Sequence, residues 1–124
     1  MPGRILIADD EPNIVTSLEF LMRRCYYEVR VARDGDEALQ LVEEFRPDLV
    51  LLDVMMPRKS GFEVCRRIRE TPALRAIRIV MLSARGRDVE IDRGLALGAD
   101  AYVTKPFSTK ELVAKVRELL PQPA

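Results

Sequence analysis

Three short runs in this chain are apolar almost throughout: Ile5-Leu6-Ile7-Ala8, Leu49-Val50-Leu51-Leu52 and Ile79-Val80-Met81-Leu82. An element with one wet face would alternate with period two or 3.6, and these runs do neither. They are far too short to span a bilayer, are rich in branched aliphatic residues and end at polar turns. They read as strands buried on both faces, which is the position of interior strands in a parallel sheet covered by helices. Val29-Arg30-Val31 alternates and Ala101-Tyr102-Val103-Thr104 is short, so both fit edge strands.

Helix-like segments fill the gaps. Pro12 suits the first turn of a helix carrying Ile14, Leu18, Leu21 and Met22 on one face. A second follows Asp34-Gly35-Asp36, packs Ala38, Leu39 and Val42, and stops before Pro47. A third runs from about Gly61, with Phe62, Cys65 and Ile68, to Thr71-Pro72. The fourth, near Val89 to Leu97, is weakly periodic, as a marginal and mobile element would be, and ends at Gly98, a good residue just past a helix. The fifth opens with Ser108-Thr109-Lys110-Glu111, a capping-box pattern, ahead of Leu112, Val116, Leu119 and Leu120.

Strand and helix thus alternate five times, which predicts an α/β fold with a parallel sheet and helices on both faces. Three interior and two edge strands match the order 2-1-3-4-5, the flavodoxin-like doubly wound sheet. The expected organisation is one domain over residues 1–120, with residues 121–124 a tail or the start of a linker.

The charge balance narrows the chemistry. Lys and Arg total 20 and so do Asp and Glu, which gives no basic surface for nucleic acid or anionic lipid. There is no histidine, so His-based metal sites and nucleophile–His catalysis are excluded. Cys25 and Cys65 lack metal-ligand spacing and fit reduced core residues of a cytoplasmic protein, and the start of the chain shows no signal-peptide core.

In a sheet of this order, ligands bind beyond the carboxyl ends of the strands. Those ends bear Asp9, Asp10 and Glu11 after the first strand, Asp53 after the third, Ser83 after the fourth and Lys105-Pro106 after the fifth. Singly, each has a plain structural reading. Asp9 or Asp10 caps a helix, Asp53 serves a turn, Ser83 is a bonded strand-end hydroxyl and Lys105 is solvated. Arg66-Arg67-Arg69 and Arg85-Arg87 read as solvated faces. Together, the carboxylates would repel one another unless a cation lay between them. An all-oxygen set without His or Cys suits Mg²⁺, and a lysine and a hydroxyl beside it suit a phosphoryl group. Asp53 is the candidate nucleophile, since carboxylates form aspartyl phosphates.

Four stretches, ILIADDEP, DLVLLDVMMPRKSGFE, IVMLSAR and GADAYVTKPF, occur in the order and spacing of a known family. Over essentially its whole length the chain resembles the receiver domain of bacterial two-component response regulators. The resemblance implies a phosphorylation-dependent switch rather than a metabolic enzyme. Asp53 would be the phosphoacceptor for a phosphohistidine on a sensor histidine kinase or phosphotransfer protein. Asp10, Asp53 and the Met55 backbone carbonyl would hold Mg²⁺, with Asp9 acting through water. Ser83 and Lys105 would contact phosphoryl oxygens, the Lys105–Pro106 bond would be cis, and Tyr102 would swing inward as Ser83 moves. Ala84 matches the small residue that leaves the phosphoryl group room, and Met55 and Arg85 match the positions that tune self-dephosphorylation. Output, including any homodimer or downstream partner, would use the surface of the fourth helix, fifth strand and fifth helix. Ala101 stands where many DNA-binding members carry a second acid, which puts their charged dimer contacts in doubt here.

Other classes fit less well. A phosphoaspartate phosphatase of the haloacid dehalogenase type would place its nucleophile after the first strand and carry a cap domain. A nucleotide or flavin site would need phosphate-binding glycines where this rim has acids. A receiver-like interaction module without phosphorylation is the alternative that keeps the fold.

Overall fold

The structure is a computed structural model, and it describes residues 3–84 and 87–120. Five strands alternate with five α-helices. These are β1 (Arg4–Ala8), α1 (Pro12–Arg24), β2 (Glu28–Ala32), α2 (Gly35–Phe45), β3 (Leu49–Asp53), α3 (Gly61–Glu70), β4 (Arg78–Ala84), α4 (Asp88–Ala96), β5 (Ala101–Lys105) and α5 (Thr109–Leu119). All strand pairs are parallel and the order is β2-β1-β3-β4-β5. The doubly wound sheet expected from the apolar runs is therefore the fold.

The strand residues sort by parity into two cores. Leu6, Val50, Leu52, Ile79 and Met81 face one side and pack with Ala38, Val42, Val64, Cys65 and Ile68 of α2 and α3. Ile5, Ile7, Leu49, Leu51, Val80, Leu82 and Val103 face the other and pack with Leu18, Met22, Leu112 and Val116 of α1 and α5. β3 is buried along its whole length, as a strand covered on both faces must be.

Local chemistry sets the helix ends. Asp34, Ser60 and Ser108 accept from the N–H groups of Glu37, Glu63 and Glu111, satisfying first-turn donors. Glu11 makes no such side-chain bond, and Pro12 starts α1 instead. Beyond α4, Gly98 takes φ 110°, a conformation few side chains tolerate. The boundaries of α4 lie one residue earlier at each end than the periodicity suggests. After α3 the chain enters a short 3₁₀ turn, Pro72–Leu74, that buries Leu74, a feature with too short a period to be read from sequence.

One reading needs correction. Arg69 is not a solvated residue. Its Nε donates to Gly98 O at 2.8 Å, and Nη1 donates to Arg75 O at 3.0 Å and Ile77 O at 2.7 Å. Nη2 meets Asp100 Oδ2 at 2.8 Å, and that same oxygen accepts from Ile79 N at 2.8 Å. A single guanidinium thus ties α3 to the start of β4 and the turn before β5. Arg66 and Arg67 are exposed and pair along α3 with Glu63 and Glu70, as a solvated face should. Arg85 and residues 121–124 lie outside the described residues, so the expectations placed on them do too.

Candidate functional site

Strand ends, not sequence proximity, build the site. β1 and β3 are neighbours, and Ala8 pairs with Leu52, so the next residues, Asp9 and Asp53, emerge side by side. β4 brings Ser83 and β5 brings Lys105 to the same rim, through the pairs Asp53–Leu82 and Ala84–Lys105.

Asp9 and Asp53 are buried and Asp10 is exposed, and each offers an oxygen such that the three lie within 4.8 Å of one another. Asp9 Oδ1 accepts from Glu11 N at 2.9 Å, while Asp9 Oδ2 is buried without a directed hydrogen bond, 2.9 Å from Lys105 Nζ. Lys105 also reaches Glu11 at 2.9 Å and Asp53 Oδ2 at 3.5 Å. Asp53 Oδ1 accepts from Met55 N at 3.2 Å. One ammonium therefore pairs with three carboxylates, those of Asp9, Glu11 and Asp53, and Asp10 adds a fourth acid beside Asp9 and Asp53. Such a surplus of oxygen donors, one of them buried and poorly bonded, fits a hard divalent cation.

The electrostatics express the same surplus. Burial, and then the charge of Asp9, push the Asp53 carboxyl up to about 6, against the opposing pull of Lys105. Burial works against the Lys105 ammonium, but its close pairing with Asp9 and Glu11 and the charges of Asp53 and Asp9 outweigh it and raise the lysine's pKa. Lys105 is accordingly a fixed positive charge at any pH the domain meets.

The loop after β3 is anchored from two sides. Gly61 N donates to Val54 O at 2.9 Å, and a Cβ on Gly61 would strike the carbonyl of Asp53, so α3 can start this close to Asp53 only from glycine. On the far side, Gly35 N donates to Pro57 O at 3.2 Å, Lys59 pairs with Asp36 at 3.1 Å and Arg58 with Asp34 at 3.5 Å. The start of α2 thereby holds the segment that carries Met55, whose side chain is exposed.

Ser83 is buried and donates to Glu90 Oε1 at 3.1 Å, away from the acids. Tyr102 lies on the edge strand and is 41% exposed, an outward-facing ring. The Lys105–Pro106 peptide is cis. Sequence reasoning placed Asp9, Asp10, Asp53, Ser83 and Lys105 on one rim, and they are there. It also placed Glu11 there, without its bond to Lys105, and it did not find the pairing of Asp34 and Asp36 with Arg58 and Lys59 or of Glu90 with Ser83. Acids in first helical turns have an ordinary reading as dipole partners, and nothing in their spacing says more.

A family model described as the response regulator receiver domain matches residues 5–117. The chain belongs to the response regulator receiver domain family. Among solved structures, a response regulator from Chloroflexus aurantiacus J-10-fl is 37% identical, with TM-score 0.94, covering 98% of this chain and all (100%) of that one. A chemotaxis response regulator of Vibrio cholerae is 29% identical, with TM-score 0.90 and coverage of 97% and 100%. The receiver domain of a sensor histidine kinase from Pseudomonas aeruginosa PAO1 is 28% identical, with TM-score 0.89 and coverage of 98% and 100%, and carries a coordinated magnesium ion in its active-site cleft. Receiver domains of both regulators and kinases thus share this chain's fold. No helix among the described residues is long and apolar enough to cross a membrane.

Proposed function

We propose that this receiver domain, spanning residues 1–120, is a phosphorylation switch whose phosphoacceptor is Asp53. The observation that carries the reading is the buried Asp53 carboxylate, flanked by Asp9 and Asp10 and within 3.5 Å of Lys105 Nζ. Asp9, Asp10, Asp53 and the Met55 carbonyl would hold Mg²⁺. When bound, the ion supplies the positive charge that a transferring phosphoryl group needs.

The Asp53 carboxylate attacks the phosphorus of a phosphohistidine on a partner kinase or phosphotransfer protein. An O–P bond forms, the N–P bond breaks, and the leaving imidazole nitrogen takes a proton from solvent. Lys105, held by Asp9 and Glu11, is positioned to pair with a phosphoryl oxygen without side-chain reorganisation. Its fixed charge also keeps the Asp53 carboxylate, with a pKa of about 6, mostly ionised near neutral pH. Ser83 supplies a hydroxyl to the acyl phosphate, and its movement, with that of Tyr102, shifts the exposed surface of α4, β5 and α5 that a partner or second copy reads. The domain's setting is the cytoplasm, with its donor kinase.

Incubation with Mg²⁺ and acetyl phosphate should add one phosphoryl group by intact mass, and Asp53→Asn should abolish it. Labelling of the variant to the wild-type extent sinks the assignment.

A further inference from the structure

Of the five helices, α4 has the fewest buried residues. Among the described residues, only Gly94 of that helix is buried, against Met81. Arg93 adds a stacking contact on Phe62, with its guanidinium carbon 4.2 Å from the ring centre. The first turn has a different attachment. Glu90 turns its carboxylate inward, with its side chain only 11% exposed. One oxygen accepts from Ser83 Oγ at 3.1 Å, and the other pairs with Arg87 at 2.9 Å. The Ser83–Glu90 bond is therefore a direct tie from the functional rim to the helix with the fewest buried residues.

A serine hydroxyl has one proton to donate. We propose that Glu90 is a latch on that hydroxyl: its carboxylate and a phosphoryl group on Asp53 compete for the single proton of Ser83, so that loading the site releases the first turn of α4. This rests on the reading of Asp53 as phosphoacceptor. Two negative acceptors on either side of one donor make the choice exclusive. By linkage, whatever the bond to Glu90 contributes to the unloaded form is subtracted from phosphoryl binding. Glu90 touches neither the acids nor the reacting atoms, so it is a positioning residue that acts through Ser83. The acidic side chain at this position has a dipole-pairing reading too, but that reading predicts no coupling to Ser83.

The test is a double-mutant cycle read with beryllofluoride and Mg²⁺ as the phosphoryl probe. With Ser83 present, Glu90→Ala should tighten beryllofluoride binding about fivefold, the worth of one net hydrogen bond. In a Ser83→Ala background the same change should leave binding unaltered. Glu90→Gln keeps a neutral carbonyl acceptor and should fall between. In the probe-free, metal-free protein, amide exchange over residues 88–91 should quicken in both Glu90→Ala and Ser83→Ala. Equal tightening in both backgrounds, no tightening, or unchanged exchange in Ser83→Ala overturns the latch. Failure of the wild type to bind beryllofluoride overturns the phosphoacceptor reading and the competition with it. Binding without any Glu90 effect overturns the latch alone.

Discussion

Asp53→Asn should make the metal-free domain more stable, although it removes the proposed phosphoacceptor. The buried carboxyl has its pKa moved from an ordinary 3.8 to about 6. That is roughly two pH units, or about 3 kcal/mol at 1.4 kcal/mol per unit, by which folding disfavours the ionised form. Because the folded value lies above the unfolded one, the folded chain binds the extra proton. Stability therefore falls as pH rises through roughly 4 to 6, and the whole cost is present above that window. Asparagine cannot ionise, and its carbonyl can still accept from Met55 N. Lys105 keeps Asp9 and Glu11 as partners. Urea or thermal unfolding followed by circular dichroism in EDTA should show the variant ahead by about 3 kcal/mol at pH 7.5, roughly 10 °C in midpoint. The gap should close toward zero near pH 4. Mg²⁺ should then stabilise the wild type more than the variant, because only the former keeps every proposed ligand. A variant no more stable than wild type at pH 7.5, or a gap that ignores pH, would refute the claim that Asp53 is held ionised against burial and Asp9.

Two further substitutions probe the scaffold. Arg69→Ala leaves the half-buried Asp100 carboxylate and the carbonyls of Gly98, Arg75 and Ile77 without their shared donor, and should cost about 3 kcal/mol in urea unfolding at unchanged m. Arg69→Lys should recover only part of it, since an ammonium cannot span four acceptors, and a loss no larger than about 1 kcal/mol in Arg69→Ala would mean a mere surface pair. Gly61→Ala pushes a methyl group into the Asp53 carbonyl and should cost about 1–3 kcal/mol while slowing labelling by acetyl phosphate at least tenfold. Wild-type labelling in that variant would show that the start of α3 does not set the position of Asp53.

How much of this was legible beforehand follows from which signals are local. The continuous apolar runs gave β1, β3 and β4, because burial on both faces leaves no other pattern. Strand order then places Asp9, Asp53, Ser83 and Lys105 on one rim. Ser108 announces its helix through capping chemistry. Arg69 was misread for a physical reason. Its neighbours Arg66 and Arg67 do face water, and a helix period alone cannot say that the next arginine meets a turn some thirty residues away in sequence. Glu90 carries no such signal either, since a carboxylate in a first helical turn looks the same whether it faces solvent or a serine.

The same charge arrangement bears on stability, metal affinity and switching together. Three carboxylates around one lysine, with Asp10 close by, cost the metal-free domain stability, chiefly through buried Asp53. A site that strains without a cation gains more when one binds, so on the proposed reading the cost borne without the ion would reappear as affinity for it. A phosphoryl group added to Asp53 would then return negative charge to the rim and call on further donors. Lys105 is already in place, and the remaining side-chain donor of the proposed set is Ser83, which is engaged with Glu90. On the proposed reading, charge brought to Asp53 and the attachment of α4 would meet at a single hydroxyl, and a serine at the end of β4 would be the point where chemistry on the rim becomes movement on the surface.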